Sequence, residues 1–497
     1  MHVIVPNGSS MIRNVKQLVW CGILIITATA SCQTEATSPP TELLQQLIRI
    51  DSVNPPGRTE EVAKFLTRTL SPLGFQVETV PTPVEGKVHF LARLKGNGTK
   101  KPILLVAHAD VVGVEREGWH LDPFAGQIED GYVYGRGAID NKGSLAVFTE
   151  ALMRLAKDKI PLQRDIVLLA EADEESGKFG TEWLAEHYFP KIDCAAALNE
   201  GGWILENPDG SVRYISISTA DKISVWFKLT AHGTTSHSSM PVPDDAISQL
   251  SRALVELANY RTRVHLLSNT RQFFQTLSKV SEPSRSMAFE HLVNASDPSQ
   301  LEEADREISR DPLLNALIRN TLAPVFLNAG FRGNIIPGSA EATINLRLLP
   351  GTDIDEMMEE IRNVIRNPRI EIALAGGDPS AKDDIKALHK AYEKFSAVPP
   401  SSTDTDLYRA LASQAEAVFH APVTPYLFQA GTDAAAWRNR GIPVYGIYPY
   451  PVPAGDLTKM HGNNERVAVR SLEQGTEMVY RILLQVAAAS GRSTKLN

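Results

Sequence analysis

The sequence predicts an α/β fold, a central mixed sheet flanked by helices, with a smaller α+β unit inserted into it. Three observations carry this expectation. Short apolar runs alternate with stretches of helical spacing over about residues 41–221, and again over about 377–490. The pattern changes between them, over about 222–376, to a sparser β-α-β-β-α-β arrangement with a long helical stretch spliced in at 261–324. At 497 residues the chain is also longer than one ordinary hydrophobic core.

The elements follow in order. Gln33 to Pro40 is a polar, proline-ended linker, after which Thr41 to Ile50 and Glu60 to Leu70 show helical apolar spacing. Phe75 to Val80, His89 to Leu94 and Ile103 to Ala107 are short apolar or alternating runs, hence strands. Lys142 to Ala156 is helical, Asp165 to Ala170 a strand, Gly180 to His187 helical and Ala195 to Leu198 a strand. In the inserted unit, Ile223 to Thr230, Glu341 to Leu348 and Ile370 to Ala373 are strands, and Asp244 to Ala258 and Asp353 to Arg366 are helices. The main sheet resumes after Ala381, with a helix over Asp406 to Phe419 and a strand over Val444 to Ile447; there is no internal repeat.

Composition narrows the function. The chain is 43% hydrophobic and 22% charged with a formal net charge of -8, which lacks the basic excess that a phosphate backbone requires and argues against nucleic acid as a partner. Three cysteines exclude a disulfide framework, and Cys194 falls in a buried-strand pattern rather than a reactive setting. Residues 1–32 read as an export signal: Arg13 and Lys16, the apolar run Leu18 to Ile26, then small residues up to Cys32. Ala30-Ser31-Cys32 resembles the bacterial lipoprotein box, with Thr29 where that box usually has leucine. The expectation is an exported protein, in the bacterial periplasm or anchored to the membrane by lipid at Cys32, otherwise secreted, with a plain transmembrane anchor as the blander reading.

Five residues of metal-ligand type sit in short motifs at or near the ends of apolar runs: His108, Asp140, Glu175, Glu200 and His461. Mixed imidazole and carboxylate donors suit a hydrolytic site with two divalent metals and a shared carboxylate. Three of the motifs follow strands, where ligands bind in open α/β sheets. His108 and Asp110 follow Ile103 to Ala107, Glu174 and Glu175 follow Asp165 to Ala170, and Glu200 follows Ala195 to Leu198. Asp110 is placed to orient His108 through its other ring nitrogen. Of the adjacent carboxylates in Asp173-Glu174-Glu175, one can bind metal while its neighbour moves a proton. His237, in a polar loop before a helix, could donate to the oxyanion of a tetrahedral intermediate. Blander readings stand beside these: an incidental triplet at His108, a helix cap at Asp140, a solvated acidic turn at 173–175 and a capping loop at His237.

Together the motifs resemble, in order, those of the di-zinc metallopeptidase family of aminoacylase, carboxypeptidase S, glutamate carboxypeptidase and succinyl-diaminopimelate desuccinylase. The resemblance covers about residues 41–490. It implies a zinc-peptidase catalytic domain (41–221 and 377–490) with a lid or dimerisation domain (222–376). It further implies one Zn2+ on His108, Asp140 and Glu200 and a second on Asp140, Glu175 and His461, other divalent metals being able to substitute. Asp140 then bridges, with a cis peptide to Asn141. Glu174 matches the general base toward a metal-bridging water, Asp110 the residue orienting His108, and His237 a histidine that reaches the reacting carbonyl, often from the partner subunit of a homodimer. Asn334 and Arg347 match a clamp for the substrate carboxylate, and Gly431 and Thr432 a loop completing the substrate pocket; Arg347 could instead pair with an acid on the lid. The implied reaction is hydrolysis of an amide in small peptides with a free C-terminal carboxylate, as in a carboxypeptidase or dipeptidase. The alternatives are an N-acyl amino acid amidohydrolase and, more remotely, an inactive periplasmic binding protein. Two departures are noted. Ser236 stands where many members have glycine, and the 261–324 insertion resembles the carboxypeptidase S and N-acyl amino acid hydrolase branch. Its Leu266, Leu267, Phe273, Phe274 and Leu277 could form an apolar pocket or a dimer contact.

Overall fold

The computed structural model describes residues 38–377 and 383–489. The export segment and Cys32 lie outside these residues. No helix among the described residues is long and apolar enough to cross a membrane.

The large sheet has ten strands. Its order is Gln76–Pro81, Val88–Leu94, Ile166–Glu171, Ile103–His108, Ala196–Asn199, Val444–Gly446, Val212–Asp221, Ile204–Glu206, Pro451–Pro453, with Val423–Phe428 parallel to Val212–Asp221. The sheet is mixed, and its central strands Ile103–His108, Ile166–Glu171 and Ala196–Asn199 run parallel and are buried throughout, because helices cover both faces. Alternation divides each strand between two cores. Leu105 and Ala107 face the Lys142–Lys157 and Val469–Ala487 helices, while Leu104 and Val106 face Leu184 and Trp437. Register matters for the site: His108 lies opposite Glu171, and Leu105 opposite both Leu168 and Leu198, so the three strands end at one edge.

The second sheet has four strands in the order Thr321–Ala329, Ser339–Leu348, Ile223–His232, Ile370–Ala375. Val225, Phe227, Leu229 and Ala231 alternate toward the helices Ala246–Asn259 and Ile354–Ile365. Lys222 alone separates Val212–Asp221 of the large sheet from Ile223–His232 of the small one.

The inserted region departs from expectation in three places. First, the helical stretch stops at Leu317, and Thr321–Ala329 is the fourth strand of the small sheet. It is an edge strand, exposed over most of its length and irregular between Pro324 and Phe326, so neither burial nor alternation marks it. Second, the insertion folds as Ser268–Val280, Pro283–Asn294, Pro298–Ile308 and Pro312–Leu317, the last two opened by prolines and capped by Asp297 and Asp311. Phe273, Phe274 and Leu277 are buried in the large core rather than lining a substrate pocket or facing solvent, with Phe273 packed 5.2 Å from the Tyr426 ring. Third, helix Ile385–Ser396, which follows the expected return to the main sheet, packs on the small sheet through Tyr392.

Candidate metal centre and its cavity

The shared strand edge gathers all five expected metal-ligand residues. His108, Asp140 and Glu200 offer one donor set, and Asp140, Glu175 and His461 another, with the donor atoms of each set lying within 4.8 Å of one another. Asp140 belongs to both. Its Oδ1 lies 2.8 Å from His108 Nε2 and its Oδ2 3.2 Å from His461 Nε2, which is also 3.2 Å from Glu175 Oε1. Glu200 Oε2 lies 3.6 Å from His108 Nε2. The bond from Asp140 to Asn141 is cis. Asn141 holds no helix cap with its side chain; its Nδ2 donates to Glu200 Oε2 at 2.7 Å.

The orientation of His108 differs in detail from the expectation. Its Nδ1 donates to the main-chain carbonyl of Asp110 at 2.8 Å, while the Asp110 carboxylate lies 3.6 Å away. That carboxylate instead accepts the amides of Glu174 (3.3 Å) and Glu175 (3.1 Å) and Asn54 Nδ2 (2.7 Å). Asp110 thus orients the imidazole with its backbone and the acidic turn with its side chain. Asp173 is no solvated acid: it is buried and accepts Lys87 Nζ, Asn54 Nδ2 (2.7 Å), Ser176 Oγ (2.6 Å) and the Phe179 amide (2.8 Å).

These residues fit divalent cations. With Nδ1 donating to a carbonyl, the lone pair on His108 Nε2 points at two carboxylates, an arrangement that requires a proton or a cation between them. Glu175 Oε1 is buried and has no hydrogen-bond partner. Burial pushes the Glu200 carboxyl well above its ordinary range, and repulsion from Asp140 adds to it. Glu174 rises too, through burial and then Asp433, with Glu175 and Asp140 adding while His108 opposes. The Asp140 and Glu175 carboxylates beside its ring, which favour the charged imidazole, push His461 up to about 10 against the opposing effect of its burial. Such crowding of acids around imidazoles is what bound cations relieve. The mixed nitrogen and oxygen donors suit zinc chemistry.

A cavity of about 420 Å³ opens beside this cluster. Glu174, Asp433, Thr432 and Gly431 line one wall and Arg347, Lys222 and Ser224 another, with Pro350, Phe395, Val398 and Pro399 supplying apolar surface. Arg347 donates from Nε to Asn345 Oδ1 at 2.9 Å and has no carboxylate partner among the described residues. The expected pairing with a lid acid is therefore not made. Thr432 Oγ1 donates to Asp221 Oδ2 at 2.6 Å, an acid that also pairs with Arg438. His237 and Asn334 are not brought to the cavity. They lie exposed on the small domain, where His237 pairs in a short two-stranded ladder with Ile335, and Asn334 accepts the Ser238 amide.

Several residues escaped the sequence reading. Tyr448, buried and stacked on Trp203 at 4.7 Å, directs its hydroxyl to Glu200 Oε2 (3.3 Å) and Asp140 Oδ1 (3.4 Å). Asp433 belongs to the Gly431-Thr432-Asp433 loop expected to act through backbone groups, but its carboxylate lies within 4.8 Å of Glu174 and Glu200, a role the sequence reading did not give it. Lys87 and Asn54 carried no signal, since their contacts with Asp173 join segments as far as 119 residues apart.

Fold and site together define a metal-dependent hydrolase of small amides with two adjoining candidate metal positions. The model of Peptidase family M20/M25/M40 matches residues 104–485, and the chain belongs to that family. It is 28% identical over 410 residues to the N-fatty-acyl-amino acid synthase/hydrolase of Homo sapiens, covering 80% of this chain and 77% of that protein. It is 29% identical over 397 residues to the probable carboxypeptidase S-like 2 of Dictyostelium discoideum, covering 77% and 71%. Among solved structures, the M20 family metallo-carboxypeptidase Sso-CP2 of Sulfolobus solfataricus superposes with a TM-score of 0.63 at 19% identity, over 90% of this chain and 99% of that one.

Proposed function

We propose that the protein is a zinc-dependent amidohydrolase cutting an amide next to a free carboxylate, in small peptides of the carboxypeptidase or dipeptidase kind. One observation carries this: Glu174 and the guanidinium of Arg347, which has no carboxylate partner among the described residues, line the same cavity. A guanidinium fork matches a carboxylate, so Arg347 holds the substrate's charged end while its amide lies toward Glu174. His108, Asp140 and Glu200 would hold one ion, and Asp140, Glu175 and His461 the other. When bound, the two ions lower the pKa of water and polarise the amide carbonyl. Glu174 takes a proton from the attacking water on its carboxylate and passes it to the departing nitrogen. Asp110 fixes Glu174 by accepting its amide, and the Thr432 loop closes the pocket beside it.

A second reading, N-acyl amino acid hydrolysis, is favoured by the apolar wall of Pro350, Phe395, Val398 and Pro399, which suits an acyl chain, and by the name of the human relative. Dipeptides assayed against N-acyl amino acids, with zinc and with chelator, separate the two; no zinc-dependent turnover of either class refutes both.

His237 lies outside its own cavity, so we assign its oxyanion role to a second copy of the chain. The edge strand Thr321–Ala329 and the following loop expose Val325, Phe326, Leu327 and Phe331, an apolar strip suited to that homodimer. A monomer by light scattering, with full activity after His237→Ala, would sink this assignment. Export with lipid attachment at Cys32 rests on the first 32 residues, and mass spectrometry of the mature amino terminus in a bacterial host tests it.

A further inference from the structure

Two loops distant in sequence supply Asp140 and His461, two of the three ligands of the second ion, and one buried ion pair ties them together. Glu465 is fully buried, and its carboxylate accepts the amides of Gly137 (3.0 Å), Ile139 (2.7 Å) and Asp140 (2.9 Å) as well as Arg136 Nη1 (2.7 Å). Every donor comes from the loop that ends in Asp140. Arg136, also buried, points the other arm of its fork the opposite way: Nη2 donates to the carbonyls of His461 (3.2 Å) and Gly462 (3.0 Å). His461 has left-handed backbone, φ 56°, an uncommon conformation for a non-glycine residue. Arg136 fixes the carbonyl that this conformation presents.

We propose that Arg136 and Glu465 are positioning residues that set His461 against Asp140 and so assemble the second metal position, the one shared by Asp140, Glu175 and His461. The inference rests on the ligand reading above. His108 and Glu200 are placed independently of the pair, by the buried strands Ile103–His108 and Ala196–Asn199 and by Asn141 and Tyr448. The two arms of the fork therefore have separable effects. Arg136→Lys keeps a cation for Glu465 but loses the fork onto the His461 loop. Glu465→Gln removes the charge that gathers the Asp140 amides, and Asp140 serves both ions.

The test is zinc content per chain, measured after equilibration in graded zinc buffers, with circular dichroism of the metal-free proteins as a folding control. The wild type should hold two zinc ions. Arg136→Lys should bind the first unchanged and the second about 10- to 100-fold more weakly, the usual cost of losing an outer contact to a metal ligand. Glu465→Gln should weaken both. Equal weakening of both ions in Arg136→Lys, or no change in either variant, overturns the proposal. If Arg136→Lys does not fold, Glu465→Gln decides alone, and unchanged zinc affinity there refutes it. A wild type holding fewer than two ions overturns the ligand reading itself, and the positioning role with it.

Discussion

Replacing Lys87 by methionine tests the support behind the acidic turn. Lys87 and Asp173 form an ion pair in which both side chains are almost wholly withdrawn from solvent. Removing one partner of a buried pair leaves an uncompensated charge and costs about 3–5 kcal/mol. Asp173 would keep three donors, Asn54 Nδ2, Ser176 Oγ and the Phe179 amide, at 2.6 to 2.8 Å. These continue to solvate the carboxylate, so the loss should fall at the lower end, about 3 kcal/mol. The assay is urea unfolding of the metal-free protein, with the midpoint shift converted through the slope. Lys101→Met serves as control, because its 3.4 Å contact with Asp193 is largely exposed and should contribute under about 1 kcal/mol. Adding Asp173→Asn to Lys87→Met should recover much of the loss, since the stranded charge is then gone. A cost for Lys87→Met no larger than that of the control would refute the reasoning.

Glu174→Gln should lower kcat by about 10²- to 10⁴-fold with zinc content unchanged, because the proton carrier is lost but no ligand is; steady-state kinetics and metal analysis check both halves. Arg347→Ala should raise KM by about 10- to 100-fold for substrates with a free carboxylate, equivalent to about 1.5–3 kcal/mol for a charge-assisted bond, and leave carboxyl-blocked analogues unaffected. Burial, with Arg347 adding repulsion, lowers Lys222 from the ordinary 10.5 to about 7. Between those values the unfolded chain binds the extra proton, so this residue makes stability rise with pH from about 7 to 10.5 and contributes no slope below 7. Lys222→Met should flatten that rise in urea midpoints measured across the interval; an unchanged profile would contradict the assignment.

The strand ends were legible for a physical reason. Ile103–His108, Ile166–Glu171 and Ala196–Asn199 are buried on both faces, so each reads as a continuous apolar run, and the polar residue that follows each run marks the sheet's carboxyl edge. Thr321–Ala329 was illegible because an exposed edge strand interrupted at Pro324 carries neither signal. The insertion was legible as helices but not in its packing: amphipathic spacing shows that Phe273 and Leu277 face something apolar, and not which core that is.

The sequence by itself determined the chemistry of this protein. Donor types, their order and their attachment to strand ends are local properties, and Glu174 beside Glu175 already sets the proposed proton carrier next to a proposed ligand. Tertiary structure decided everything that depends on which distant segments meet. It set the Asp110 carboxylate on the amides of the acidic turn, left Arg347 without an acid partner among the described residues, and kept His237 outside its own cavity. It also closed the Arg136–Glu465 brace across 329 residues. A hydrogen bond is selected by position in space, and no spacing within one strand or loop encodes the partner that folding brings to it.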